Sequence, residues 1–294
     1  MEFLQFVDAV KGAVKERLSE EMSVDTQTVM KNNGQERTGI TISEKEYNLS
    51  PTIYLEEFYE RFSEEEGCME EIVEQVLHVY QKVRIEKQWD VEAFTDYEQI
   101  RTNIVYKVIH AGRNEKLLQE IPHGLYLDLA LVCYVRTEFE DIGTATVLVT
   151  RQMLQLWKIS VEELFRDAAR NTEEQLPAEF MTMEKMLKSL GSTFYLPDGE
   201  KKMLYVLTNK ERELGAVCML YRGVLARIAE ELNENFFVIP SSIHEVLLVP
   251  ESAGFDRKGL EAMLQDVNET QLLPEEILSD NVYYYIRSAK RLIL

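Results

Sequence analysis

The sequence predicts an α+β fold, with amphipathic helices packed on antiparallel, hairpin-rich sheet. Three observations carry that prediction. Apolar residues recur at helical spacing in several long segments. Other runs are short, rich in β-branched and aromatic residues, and bounded by turn residues. Several of these short runs are immediate neighbours, which favours hairpins over the strand–helix alternation of a doubly wound parallel sheet. The chain has 294 residues, 45% hydrophobic and 29% charged, an ordinary globular composition with enough length to bury a core without cross-links.

Phe3, Phe6, Val7, Val10, Val14 and Leu18 form the apolar stripe of an opening helix. Strands are expected at Val24–Lys31 and Gln35–Ser43, joined by Asn33-Gly34, whose residue types tolerate the positive φ of a tight turn. Ser50-Pro51 has the character of an N-cap followed by proline at the first helical position. The helix it would start carries Tyr54, Leu55, Phe58, Tyr59 and Phe62, and a second carries Met69, Ile72, Val73, Val76, Tyr80 and Val83. From Asn103 the pattern changes to strands: Asn103–His110, then one long strand over Leu125–Val135, then Thr144–Thr150 returning through a turn at Glu138–Gly143. Asp128 is the one acid within the long strand and is expected to point at solvent or at a tyrosine hydroxyl. Ser160 and Glu163 spell a capping box, with Ile159 and Leu164 as the hydrophobic staple of the helix that follows. Thr182–Leu190 reads as a helix ended by Gly191. Strands are expected at Leu204–Thr208 and Ala216–Tyr221, a helix at Val224–Leu232, and a hairpin of Phe236–Ile239 with Val246–Val249 around Pro240-Ser241-Ser242. A helix capped by Asp256 and a last hairpin, Val282–Arg287 with Leu292–Leu294, complete the chain. The change of texture suggests a helix–hairpin–helix lobe over 1–102 and an α+β lobe over 103–294.

There are 32 Lys and Arg against 52 Asp and Glu, a formal net charge of −20. A field of that sign disfavours direct binding to nucleic acid or to anionic membrane, permits basic partners, and serves solubility. It is densest in Glu56–Glu92, with 12 acids and 4 bases, either the solvated face of two helices or a docking face for a basic protein. No apolar run is long enough for a membrane helix, and the segment Met1–Val10 lacks the basic and apolar blocks of a signal peptide, so a cytoplasmic location is expected. Cys68, Cys133 and Cys218 are too few and too scattered for a disulfide framework. Cys133 and Cys218 sit in apolar runs, whereas Cys68 lies among Glu64, Glu65, Glu66, Glu70 and Glu71, whose charge disfavours a thiolate.

Nucleotide-binding glycine loops, a nucleophile elbow and zinc spacings are absent from the sequence, so no cofactor and no metal is expected. Gly191-Ser192-Thr193 lacks the lysine and second glycine of a phosphate loop, and Tyr283-Tyr284-Tyr285 reads as a strand with mixed faces rather than a base-stacking platform. His78, His110 and His123 are isolated. Only Pro240-Ser-Ser-Ile-His-Glu245 gathers chemistry: Ser241 and Ser242 as hydroxyls, His244 as a base and Glu245 to orient it. Adjacent His244 and Glu245 would point to opposite faces of a strand, and both serines suit a turn, so turn chemistry is the favoured reading over a catalytic site.

Four stretches carry a family likeness: Lys31-Asn-Asn-Gly34, Ser50-Pro-Thr-Ile-Tyr-Leu-Glu-Glu-Phe-Tyr59, Ile159-Ser-Val-Glu-Glu-Leu-Phe165 with Ala168-Ala-Arg-Asn171, and Ile239-Pro-Ser-Ser-Ile-His-Glu-Val246. The chain resembles the domain-of-unknown-function proteins common in gut Firmicutes, with the Pro-Ser-Ser-x-His-Glu segment as the most specific mark. The resemblance implies a bacterial cytosolic protein and carries no activity and no catalytic residue with it. The expectation is a non-enzymatic binding or regulatory protein. The alternatives are a hydrolase around Ser241, Ser242, His244 and Glu245, and an acidic inhibitor that mimics nucleic acid.

Overall fold

Helix α1 (Phe3–Glu16) buries Phe6, Val7, Val10 and Val14, the stripe its spacing predicts. The computed structural model describes residues 1–47, 50–64, 68–84, 93–139, 143–191 and 204–294. Glu65, Glu66, the 85–92 end of the acidic region, the centre of the Glu138–Gly143 turn, and Ser192-Thr193 lie outside the described residues. Two compact units form, one of residues 1–94 with 137–145, the other of 95–136 with 146–294. The architecture is α+β, with antiparallel sheets.

In the first unit, β1 (Met22–Met30) and β2 (Glu36–Glu44) pair antiparallel over their full lengths. Asn33 and Gly34 between them take positive φ, 59° and 68°. The next segment departs from expectation. Thr52–Tyr54 is strand β3, paired with β2, and the helix α2 (Glu56–Glu64) begins only after Leu55. Ser50 and Pro51 therefore precede a strand and cap no helix. Gly39 explains the choice: a Cβ there would lie 2.3 Å from the Ile53 carbonyl oxygen, so glycine lets β3 dock closely on β2. Glu56 then accepts the Thr38 N–H at 2.6 Å, holding the start of α2 to the sheet. Helix α3 (Met69–Val83) buries Ile72, Val73, Val76 and Tyr80 in a core shared with Phe6, Val10, Ile40 and Leu55.

The second unit opens with α4 (Tyr97–Ile100) and β4 (Ile104–His110), then α5 (Glu115–Glu120). The long strand expected over Leu125–Val135 is two strands. β5 (His123–Tyr126) turns back at Leu127-Asp128 onto β6 (Leu129–Phe139), with Leu127 at φ 53°. An apolar run has the right texture for one strand or two, and no glycine marks this turn. β6 also pairs with β4 and with β7 (Gly143–Leu148), and α5 packs on this sheet through Leu118. Helices α6 (Arg151–Trp157) and α7 (Val161–Gln175) follow, then β8 (Ala178–Thr182), α8 (Met183–Ser189) and β9 (Tyr205–Asn209). Ser160 Oγ accepts the Glu163 N–H at 3.2 Å at the start of α7, while the Glu163 carboxylate faces Arg166 at 3.7 Å, so the hydroxyl half of the capping box is the one that forms.

Where a strand is expected over Ala216–Tyr221, residues Gly215–Leu220 form a buried 3₁₀ helix. Burial on all sides made an apolar run of this length ambiguous between strand and helix. Helix α9 (Val224–Leu232), β10 (Phe236–Ile239), β11 (Val246–Pro250), α10 (Arg257–Thr270), β12 (Tyr283–Ile286) and β13 (Arg291–Ile293) complete the chain. The larger sheet runs β13-β12-β10-β11-β9-β8, and α10 seals one face through Leu260 and Leu264 against Ile239, Val249 and Val282.

Candidate functional site

Residues 240–245 connect β10 to β11, and a second segment, residues 276–281, lies against them. Ile243 N–H donates to the Glu276 carbonyl at 2.9 Å, Leu278 N–H to Ser241 at 2.9 Å, and Ser279 N–H to Pro240 at 3.0 Å. Backbone buried in this way must find partners, and here each stretch satisfies the other. Two clusters of polar side chains hang from the ends of this clasp.

At one end is His244, in the connection rather than in a strand. Ser242, 2% exposed, accepts the His244 N–H on its Oγ at 3.0 Å, the local turn bond that serine forms readily. The His244 carbonyl accepts from Thr208 Oγ1 at 2.8 Å, and its Nδ1 accepts the Leu214 N–H at 3.3 Å. A neutral ring so held carries its proton on Nε2, which faces Glu276 Oε1 at 3.7 Å. Gly215 makes this packing possible, since a Cβ there would lie 2.3 Å from Thr208 Oγ1 and 2.7 Å from the His244 carbonyl oxygen. Glu245 is partly buried. Burial raises its carboxyl above the ordinary range, with Glu276 adding to the rise and His244 opposing it. Ser241 is buried, and its carbonyl belongs to the clasp. The four residues singled out from sequence are thus neighbours along the chain, and the described hydrogen bonds join Ser242 to the His244 backbone rather than to its ring.

At the other end is Asp128, which the sequence did not connect to this region. It accepts from Ser279 Oγ at 2.6 Å, from Asn281 Nδ2 at 2.9 Å and, in a short bond, from the Tyr283 hydroxyl. Of its two expected surroundings, solvent or a tyrosine hydroxyl, the hydroxyl is the one it meets. His110 Nε2 stands 3.9 Å away, its Nδ1 accepting the Arg113 N–H at 3.0 Å. Burial alone would raise the Asp128 carboxyl, but the bonds from Ser279, Tyr283 and Asn281 together outweigh it and hold it below the ordinary range. The His110 ring is pushed down, chiefly by burial, against the pull of Asp128. Arg113 closes the group with a two-point contact to Asp280 at 2.8 and 2.6 Å.

The family model of DUF5688, a family of unknown function, matches residues 3–287. The chain belongs to DUF5688. A search of curated proteins and a search of solved structures give no match. The residues of this DUF5688 member must therefore be read on their own chemistry. Among the described residues, no group of three or more His, Cys, Asp or Glu side chains is placed to hold a metal ion. Cys133 and Cys218 are buried, and burial pushes the Cys218 thiol up to about 12, as suits core residues rather than nucleophiles. Among the described residues, no helix is long and apolar enough to cross a membrane. In the first unit, an open groove of 540 Å³ runs between α2 and α3, lined by Phe58 and Val79 with Arg61, Glu71, Glu74 and His78 around them.

Proposed function

We propose that this DUF5688 protein is a non-enzymatic binding or regulatory module of the bacterial cytoplasm. The observation that carries this reading is the commitment of Ser242 and His244 to the fold. Ser242 Oγ takes a peptide N–H, His244 Nδ1 takes another, and His244 Nε2 faces a carboxylate. A serine nucleophile needs its hydroxyl within reach of a basic nitrogen, and this arrangement supports a turn over a hydrolase built on Ser241, Ser242, His244 and Glu245. Partner binding is assigned to the acidic α2–α3 face, whose groove offers Glu71 and Glu74 beside an apolar floor to a basic protein segment. A nucleic-acid mimic gains less support. Among the described residues the acids are interrupted by bases, with Arg17 3.1 Å from Glu70 and 4.0 Å from Glu74, and Arg61 in the groove itself.

Two measurements test the reading. The full chain should be inactive on a broad esterase, phosphatase and peptidase panel. Turnover that vanishes in both His244→Gln and Ser242→Ala, with unchanged melting temperature, would overturn it. Affinity capture from the producing cell, followed by mass spectrometry, should return a basic protein that is lost at high salt and lost in the Glu71→Lys/Glu74→Lys variant. Retention of the same partner by that variant would remove the α2–α3 face from the proposal.

A further inference from the structure

Strand β1 is the outermost strand of the first unit's sheet, whose order is β1-β2-β3. It pairs with β2 through all nine residues in one unbroken register, Met22 against Glu44 to Met30 against Glu36. The direction of its peptide groups follows from its neighbour. Thr38, opposite Thr28, donates its N–H to Glu56 and accepts the Leu55 N–H on its carbonyl, so both groups turn away from β1. In an antiparallel ladder such a residue faces one whose own groups also turn outward. Thr28 therefore presents its N–H and C=O to the free edge, and by strand alternation so do Val24, Thr26 and Met30. Among the described residues, no backbone hydrogen bond outside the strand ladder reaches those four.

Protein sheets guard such edges with lysine, proline, bulges or very short strands. β1 has no Lys, no Pro and no bulge, and its one charge is Asp25. Three other edges are guarded. β3 spans three residues and follows Pro51, and β13 also spans three. At the start of β4, α7 takes two outward groups, with Asn171 Nδ2 donating to the Ile104 carbonyl at 2.9 Å and Thr172 Oγ1 accepting the Tyr106 N–H at 2.9 Å.

We propose that the free edge of β1 is a self-association surface, on which β1 of a second copy pairs antiparallel about a two-fold axis midway between the two Thr26 residues. The strand complements itself in that register. Its outward-facing residues meet outward-facing residues, Val24 against Thr28 and Met22 against Met30, and all nine residues find a partner. Asp25 then faces Gln27, whereas parallel pairing in register would set the lone charge against itself. Met30, 53% exposed, comes beside Met22 of the second copy, and Thr26 stands opposite Thr26, a favourable cross-strand pair. The axis is normal to the sheet, so two three-stranded sheets join into one of six strands with their helix-covered faces on the same side.

Sedimentation of the full chain over a concentration series tests this. The natural sequence should form a dimer at sub-millimolar concentration. Thr26→Pro removes one outward N–H that the β1–β2 ladder does not use, and should give a monomer with unchanged far-ultraviolet dichroism. Residue 26 meets itself only in the two-fold register, so Thr26→Lys and Thr26→Glu should each weaken the dimer by about tenfold or more, and their equimolar mixture should restore it. The Lys and Glu variants keep every backbone donor and serve if the proline variant fails to fold. A natural chain that stays monomeric, a dimer that survives Thr26→Lys, or a mixture that recovers nothing would each overturn the proposal. A monomer that instead binds an unrelated extended peptide along β1 would also overturn it, in favour of a foreign strand.

Discussion

Asp128 accepts three side-chain hydrogen bonds, and its partners Ser279 and Tyr283 lie 151 and 155 residues further along the chain. Nothing local in the sequence could name those partners, although a lone acid in an apolar run was reason to look for one. Its folded pKa is lowered, so its contribution to stability is complete above the ordinary carboxylate range and is lost as pH falls through the lowered value. His110 is also lowered, so below the ordinary imidazole range the unfolded chain takes up a proton before the folded chain does, and stability again falls with pH. Acid should therefore weaken the fold in two steps, one beginning near about pH 6.5 and one near about pH 4. Denaturant titrations across pH should show the upper step flattened in His110→Gln. Asp128→Asn should lose the lower step and about 2 kcal/mol at neutral pH, since its bonds are made to a charge. Identical pH profiles for Asp128→Asn and the natural chain would dismiss the account.

Elements were legible where a period and a boundary signal coincided. α1, α3, α7 and α10 carry long stripes, and Ser160 and Asp256 cap α7 and α10 through their side-chain oxygens. Ser160→Ala should cost about 1 kcal/mol, because it leaves the Glu163 N–H without its acceptor; a denaturation midpoint equal to that of the natural chain would rule this out. Two of the misreadings share one cause, an apolar run with no punctuation. Leu127 turns the chain at φ 53° without a glycine, so β5 and β6 read as one strand. Gly215–Leu220 is buried enough to hide its helical turn. Tyr54 joined a helical stripe on paper because the sequence cannot show that Gly39 opens a berth for β3 on β2. Among the candidate site residues, Ser241, Ser242, His244 and Glu245 were legible as a group because they are contiguous. Glu276, which faces His244, was not, because a clasp of remote backbone segments brings it there.

At the scale of the whole molecule, the family match from residue 3 to 287 runs through both units, and the mixed architecture was legible because helical and strand periods are local properties. The grouping of residues 137–145 with the first unit is a long-range fact that no local period records. One feature of the second unit bears on how this protein fails rather than how it folds. Asn171, 4% exposed, and Thr172, fully buried, cover the first half of the outer edge of β4, whose sequence Ile-Val-Tyr-Lys-Val-Ile-His is dominated by β-forming residues. Two side chains of α7 thus occupy hydrogen-bonding groups that a further strand would need. Loosening α7 by Asn171→Ala with Thr172→Val would uncover a template for aggregation, so such variants should turn turbid on mild heating while most of their helix and sheet is intact. The expected consequence in a crowded cell is a lower yield of usable protein from variants that loosen α7, over and above the loss of folding free energy.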